Sequence, residues 1–246
     1  MWEFCVRAQR TNNDIIEYIF DSVEQAVRDA NGVATVVTLG DFCELVLACP
    51  FKAQPKIKGL LHFVLCTVFT EKLKYKFLHN NITLLEKNCE YFNAFVKVLT
   101  YFDSDFDRGV VSRVLCLNKR IVLESFLEFK LRLIKNKWKE LCRLTNDNAT
   151  LFISSETFVE LLKFLIANID PKYELVTIEF KEKTSIYIGE RTHNKLIKSF
   201  EENDEVGLLT SLIDFSPRKL KLKGNIKNNK MIALLHELFG AALVTL

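Results

Sequence analysis

IVLESFLEFKLRLIKNKWKELCR, residues 121–143, is the longest unbroken helical pattern in the sequence, and the remainder is expected to pack around it. At about 100° per residue, its apolar side chains spread over roughly 200°, wider than the stripe of a helix lying on one surface. The pattern predicts a central helix with partners on two sides. Lys130 falls near the middle of the apolar arc. Because an unpaired buried charge is costly, Lys130 is predicted to point inward to a carboxylate, or else to line a pocket for an anionic ligand.

The composition is that of a folded protein. The chain has 246 residues, of which 49% are hydrophobic, and it contains only 8 Gly and 4 Pro. A net charge of +3 is too small for a dedicated polyanion binder, so local charge clusters matter more. The uncharged run at 59–70 is too short to cross a bilayer, which predicts no membrane span.

The cysteines and the first residues point to a reducing compartment. Seven cysteines are scattered without a CxxC pair, and most have apolar neighbours. The opening MWEFCVRAQR carries an acid and lacks the apolar core of a secretory signal. We therefore expect a cytoplasmic protein whose cysteines serve as small core residues.

Residues 1–80 show the order of a small α+β unit. Alternation predicts a strand at Trp2–Ala8, and a capped helix follows to about Asp29. Two apolar runs around Leu39-Gly40-Asp41 indicate a hairpin, and the broad apolar face of 57–78 indicates a further helix. The predicted order is β-α-β-β-α.

The remainder is predicted to be mostly helical with a small sheet near its end. Residues 81–170 are predicted to form a helical section that contains the central helix, and 171–246 a C-terminal α/β unit that packs with it, so that 81–246 are expected to form one packed unit. That last part is expected to hold a hairpin (173–188), two helices (193–202 and 206–214) and a closing β-α-β (220–246). The predicted class is helix-rich α+β.

Three stretches of the second half resemble the YtxC-like family of bacterial sporulation proteins. They are FLEFKLRLIKNKWKELC at 126–142, ETFVELLKFLIANIDPKYELVTIEF at 156–180 and LLTSLIDFSPRKLKLKG at 208–224. Lys130 stands where the family has Arg, and Lys223 replaces a His that usually closes the strand. The resemblance implies a bacterial cytoplasmic protein linked to spore formation, and it brings no activity with it. The family pattern falls on Phe126, Phe129, Lys130, Leu131, Leu209, Ser211, Leu212, Ile213 and Pro217.

Motifs that would carry chemistry are incomplete. DSDFDRG at 103–109 resembles the opening of a calcium loop, but its Gly comes one position late and Val114 stands where Glu is needed. His236 begins an HExxH pattern that Gly240 breaks. There is no GxGxxG, Walker or GxSxG motif. The sequence predicts no catalytic residue, metal or cofactor, and it leans away from an enzyme.

A basic cluster near the end of the chain leaves two interpretations open. Residues 218–230 carry six cations and no acid, and they lead from a strand to a helix N-terminus, where backbone amides favour anions. Nucleic acid or a phosphate ligand could bind there. Alternatively, the lysines point outward from an edge strand and block aggregation. The candidate binding residues are Lys130, Arg218, Lys219, Lys221, Lys223 and Lys227.

Three functions follow from these observations. The favoured one is a non-catalytic cytoplasmic protein that acts by binding a protein partner. The first alternative is a nucleic-acid or phosphate-ligand binder that uses the basic 218–230 face. The second is an enzyme whose catalytic groups converge in space without a recognisable motif.

Overall fold

The structure is a computed structural model that describes residues 1–83, 92–148, 155–181, 183–189, 195–201, 204–224 and 229–244. The chain forms two compact units, each assembled from two separated segments. The N-terminal unit comprises Met1–Leu78 and Asp103–Cys142, and the C-terminal unit comprises His79–Phe102 and Arg143–Leu246. The sequence alone groups residues 103–142 with the helical section after residue 80, whereas the structure groups them with the N-terminal sheet.

The order of elements alternates between the two units. The strands are β1 (Trp2–Gln9), β2 (Val33–Leu39), β3 (Phe42–Cys49), β4 (Arg120–Val122), β5 (Val176–Phe180), β6 (Thr184–Ile188), β7 (Lys195–Phe200) and β8 (Leu220–Gly224). The helices are α1 (Asn13–Asp29), α2 (Gln54–Thr67), α3 (Lys74–Asn81), α4 (Phe92–Tyr101), α5 (Ser104–Val114), α6 (Leu123–Ser125), α7 (Arg132–Asp147), α8 (Ser155–Ala167), α9 (Glu205–Phe215) and α10 (Asn229–Phe239). The predicted helix-rich α+β class is confirmed.

The N-terminal unit is built on a four-stranded sheet in the order β2-β3-β1-β4. β1 runs antiparallel to β3 and parallel to β4, which is the pairing that brings residues 120–122 into this unit. The amphipathic α1 packs its apolar stripe on the sheet, because alternate side chains of β1 present a matching apolar face. The predicted β-α-β-β-α order is confirmed. The buried residues of α1 are Ile15, Ile16, Ile19, Val23 and Val27.

The predicted central helix over 121–143 is interrupted. Its first residues belong to β4 and α6, and a π-helical turn at Phe126–Lys130 precedes α7. A π-turn holds more residues than an α-turn, so it changes the direction in which the side chains point. Phe129 is 77% exposed and Lys130 is also exposed, whereas Trp138 is 1% exposed. The prediction that Lys130 points inward to a carboxylate is therefore wrong.

Lys74, the first residue of α3, makes the buried ion pair of this unit. Its Nζ lies 2.9 Å from Oδ2 of Asp107, and the two side chains are 2% and 0% exposed. Trp138 Nε1 donates a hydrogen bond of 3.1 Å to the same oxygen. Burial lowers the pKa of Lys74, while the Asp107 charge acts in the opposite direction. One carboxylate thus joins α3, α5 and α7.

The C-terminal unit contains a second four-stranded sheet, in the order β7-β6-β5-β8. β5 and β6 form the predicted antiparallel hairpin, and β8 joins β5 in parallel. The prediction of a helix at 193–202 is wrong, because Lys195–Phe200 instead pairs antiparallel with β6. Of the predicted closing strand at 242–246, the described residues form one parallel bridge, from Leu220 to Leu243, and residues 245–246 lie outside them.

Helices supply the rest of the core of the C-terminal unit. α4 packs against α9, and α8 packs against α4 and α10. The α4–α9 contact includes Tyr101, whose hydroxyl donates a hydrogen bond of 2.5 Å to Asp214 Oδ1. Lys97 Nζ lies 2.8 Å from the same oxygen. In the described part of the chain, no helix is long and apolar enough to cross a bilayer.

The Lys74–Asp107 pair predicts a strong energetic coupling. Lys74→Met should lower the free energy of unfolding by about 3–5 kcal/mol, because it leaves the Asp107 carboxylate buried beside an apolar side chain. Asp107→Asn should lower the free energy of unfolding by a comparable amount, since it leaves the Lys74 ammonium buried without its carboxylate partner. The double variant should lose clearly less than the sum, because it removes both charges and leaves neither one buried without its partner.

Urea unfolding of the three variants and the wild type measures this coupling. Lys130→Met is the matched control, since it makes the same replacement at an exposed site and should change stability by no more than about 0.5 kcal/mol. Strictly additive losses at Lys74 and Asp107 would show that the two groups do not stabilise each other.

Candidate interaction surface

One face of the N-terminal sheet is largely exposed. Trp2, Phe4, Val6 and Ala8 of β1 are buried on the helix side, so the alternate residues of β1 point to the opposite side. The register with β2 and β3 fixes which side chains share that side. We call this side the open face. It consists of Glu3, Cys5, Arg7 and Gln9 of β1, Val33, Thr35, Val37 and Leu39 of β2, and Phe42, Glu44, Val46 and Ala48 of β3.

Apolar side chains form the larger part of the open face. Val33 is 64% exposed and Leu39 is 54% exposed, at the two ends of β2. Leu39 is the cross-strand partner of Phe42, which is itself exposed. Isolated exposed apolar residues are ordinary, but neighbouring ones that form a patch mark interaction sites. Val37 and Val46 are the other exposed apolar residues of this face.

A charged cluster lies at the centre of the open face. Arg7 Nε contacts Glu44 Oε1, and Arg120 Nη2 of β4 lies 2.9 Å from the same oxygen. The Arg7 guanidinium also stacks 5.2 Å from the centre of the Phe42 ring. Two cations share one mostly buried carboxylate, so the cluster keeps a net positive charge. Each guanidinium has more donors than Glu44 can accept, which suits a carboxylate on a binding partner.

A cavity of about 510 Å³ adjoins this cluster, near the first residues of β1. Its walls include Cys5, Val46, Phe51 and Lys119. Burial raises the pKa of the Cys5 thiol, and the negative charge of Glu44 raises it further. The thiol therefore stays protonated near neutral pH, which is unfavourable for a cysteine nucleophile. The cavity combines apolar walls with one acid, Glu3, and one cation, Lys119, a combination that suits a side chain of a bound partner.

The basic residues near the end of the chain lie beside acids. Arg218 Nη1 is 3.3 Å from Glu174 Oε2, and Lys219 Nζ is 3.5 Å from the other oxygen of that carboxylate. Lys223 is the cross-strand partner of Glu179. The positive charge that is concentrated in this part of the sequence is thus partly neutralised by Glu174 and Glu179 in the fold.

Lys221 lies on β8, and Lys227 follows that strand in the sequence. Lys221 alternates with Leu220, which is buried, and its cross-strand partner is Thr177. β8 lies at the end of the strand order of its sheet, so its lysines flank an edge. Lys227 lies outside the described residues. Among those described, the arrangement matches a protected edge strand more closely than an anion site.

The residues of the family pattern mostly contribute to packing. Phe126 is half-buried, with its ring centre 5.1 Å from that of Phe69, and Phe129 and Lys130 are exposed. Ser211 Oγ accepts a hydrogen bond of 3.1 Å from Lys198 Nζ. The pattern residues are divided between the two units. Its buried members are Leu131, Leu209, Ser211, Leu212, Ile213 and Pro217.

The acidic run at 103–109 has a structural role instead of the calcium loop that it resembles. Asp107 binds Lys74 and Trp138, and Asp103 lies 2.9 Å from Lys137. Within the described ranges, no group of three or more His, Cys, Asp or Glu side chains could hold a metal ion.

Sequence reasoning missed the central residues of the open face. The alternation in WEFCVRAQ does place Arg7 and Cys5 opposite the apolar side of β1. The partnership of Arg7 with Glu44 depends on the antiparallel register, and that of Arg120 depends on the parallel β1–β4 pair. Neither register can be read from a local pattern.

The raised pKa of Cys5 gives a test of this geometry. Glu44→Gln removes the negative charge beside the thiol, so the pKa of Cys5 should fall and the thiolate fraction should rise. Alkylation of Cys5 by iodoacetamide at about pH 8 should become severalfold faster, as followed by peptide mass spectrometry. Glu3→Gln, on the same face, is the matched control and should leave the rate unchanged. Equal rates in the two variants would contradict the placement of Glu44.

Comparisons with known proteins identify no relative of this chain. No family model, curated protein or solved structure among those compared with the chain matches it. The resemblance to YtxC-like proteins therefore stays a prediction from the sequence.

Proposed function

We propose that this chain is a non-catalytic binding protein whose open face receives a segment of a protein partner. The observation that supports the proposal is the net positive Arg7–Glu44–Arg120 cluster within a rim of exposed apolar side chains. The expected segment presents apolar side chains next to an Asp or Glu. Apolar contacts would supply most of the affinity, and the carboxylate would fix the orientation of the segment.

The surface chemistry favours protein over nucleic acid as the partner. Nucleic-acid interfaces are strongly basic and polar, whereas Val33, Val37, Leu39, Phe42 and Val46 make the open face largely apolar. The alternative site, the basic 218–230 face, has acids beside several of its cations. Binding of nucleic acid there would have to displace these acids from their cations.

The biological setting is part of the same proposal. The YtxC-like resemblance suggests that the chain acts in the cytoplasm of a bacterium during spore formation. The partner would then be present in sporulating cells, so an extract of such cells is the appropriate material in which to look for it.

A capture experiment with matched charge reversals tests the proposal. Lys119→Glu/Arg120→Glu alters the open face and its cavity, while Lys221→Glu/Lys223→Glu makes an equal charge change on the C-terminal unit. We expect the wild type and the second variant to retain the same protein from extract, and the first variant to lose it. With the partner purified, the first variant should weaken Kd by at least about tenfold.

The opposite pattern would contradict the proposal. Loss of capture only in Lys221→Glu/Lys223→Glu, with DNA or RNA affinity that falls steeply as salt rises, would support the nucleic-acid alternative. Thermal unfolding of both variants shows whether each is folded, and Val46→Ser offers a milder open-face change if the first variant is not.

A further inference from the structure

The described sheets have four edges, and three of them carry ordinary protection against pairing with another chain. β4 is only three residues long. β7 carries Lys195 and Lys198, and β8 carries Lys221 and Lys223. Short strands and lysines are the common means by which proteins keep exposed strand edges from associating.

The fourth edge, β2, has none of these features. Its sequence VATVVTL contains no charge and no proline, and its register with β3 is regular from Val33 to Leu39. Among the described residues, no hydrogen bond joins β2 to any element beyond β3. A strand of seven residues therefore presents backbone donors and acceptors along its outer side. A long, uncharged, apolar edge is unfavourable in a protein that stays monomeric.

We propose that β2 pairs with β2 of a second copy of this chain, antiparallel and about a two-fold axis at Val36. This inference goes beyond the proposed function, because it concerns the edge of the sheet and not its open face. The axis would place Val33 opposite Leu39 of the second copy and Thr35 opposite Val37. Ala34 would lie opposite Thr38 on the helix side. Every pair combines an apolar residue with another apolar residue or with threonine, so no like charges meet.

The symmetry of the strand favours a second copy over an unrelated strand. Val33 and Leu39 are the most exposed of the large apolar residues of β2, and the axis places each opposite the other. A two-fold contact forms each such pair twice, which is how self-complementary interfaces gain affinity. The two sheets would join into one of eight strands with both open faces on the same side.

Charge substitutions on β2 test the dimer directly. We expect the wild type to show a concentration-dependent dimer in sedimentation velocity. Thr35→Lys/Val37→Lys places lysines opposite lysines across the axis, so this variant should be monomeric at the same concentrations. Thr35→Glu/Val37→Glu should be monomeric for the same reason. An equimolar mixture of the two variants should form a heterodimer, whatever the details of the register.

The controls separate this proposal from others. Leu196→Lys/Ser199→Lys adds two lysines to the β7 edge and should leave the dimer intact. Lys119→Glu/Arg120→Glu should also remain dimeric, so failure of the proposed function would not be mistaken for failure of the dimer. If the double lysine variant does not fold, Val33→Lys/Leu39→Lys serves in its place, because these exposed positions also bring lysines opposite lysines across the axis.

Three results would overturn the proposal. The first is a wild type that remains monomeric up to roughly millimolar concentration. The second is a dimer that persists in folded Thr35→Lys/Val37→Lys, and the third is a mixture of the lysine and glutamate variants that stays monomeric.

Discussion

In the interior of the N-terminal unit, the carboxylate of Asp107 holds both the ammonium of Lys74 and the indole N–H of Trp138. Removing these charges from water is costly, and the attraction between them offsets that cost only when the geometry is maintained. The three helices that carry the residues are therefore fixed in position relative to one another. A π-helical turn at Val68–Leu73 ends directly before Lys74, and a second one lies just before α7. Since such turns redirect the side chains that follow, both help to aim Lys74 and Trp138 at Asp107.

Local periodicity was enough to predict much of the fold. The alternation of β1 and the apolar stripe of α1 follow from side-chain direction within one element. The prediction from helical periodicity was wrong at Lys130. Periodicity assumes a constant rotation per residue, and the π-helical turn at Phe126–Lys130 changes that rotation. The buried lysine–carboxylate pair of this unit is made by Lys74, from another element, and not by Lys130 as predicted. β7 was missed because a strand of six residues gains its stability from pairing with β6.

The candidate surface shows why charge in the sequence differs from charge in the fold. Residues 218–223 are conspicuously basic, yet Glu174 and Glu179 lie beside them only after the parallel pairing of β5 with β8. Arg7, Glu44 and Arg120 come from three distant parts of the chain, and none is conspicuous in its own segment. Their cluster exists because β1 has β3 on one side and β4 on the other. Strand pairing, more than local composition, decides where net charge remains.

The alternation of the chain between its two units has a consequence for synthesis on the ribosome. The chain leaves the N-terminal unit after Leu78 and returns at Asp103, so β4, Asp107 and Trp138 emerge well after β1 and Lys74. Until Val122 has been translated, the position beside β1 is unfilled, and until Asp107 has been translated, the Lys74 ammonium has no carboxylate partner. Domains generally fold as units, so this one can complete its core only after its second segment has been synthesised.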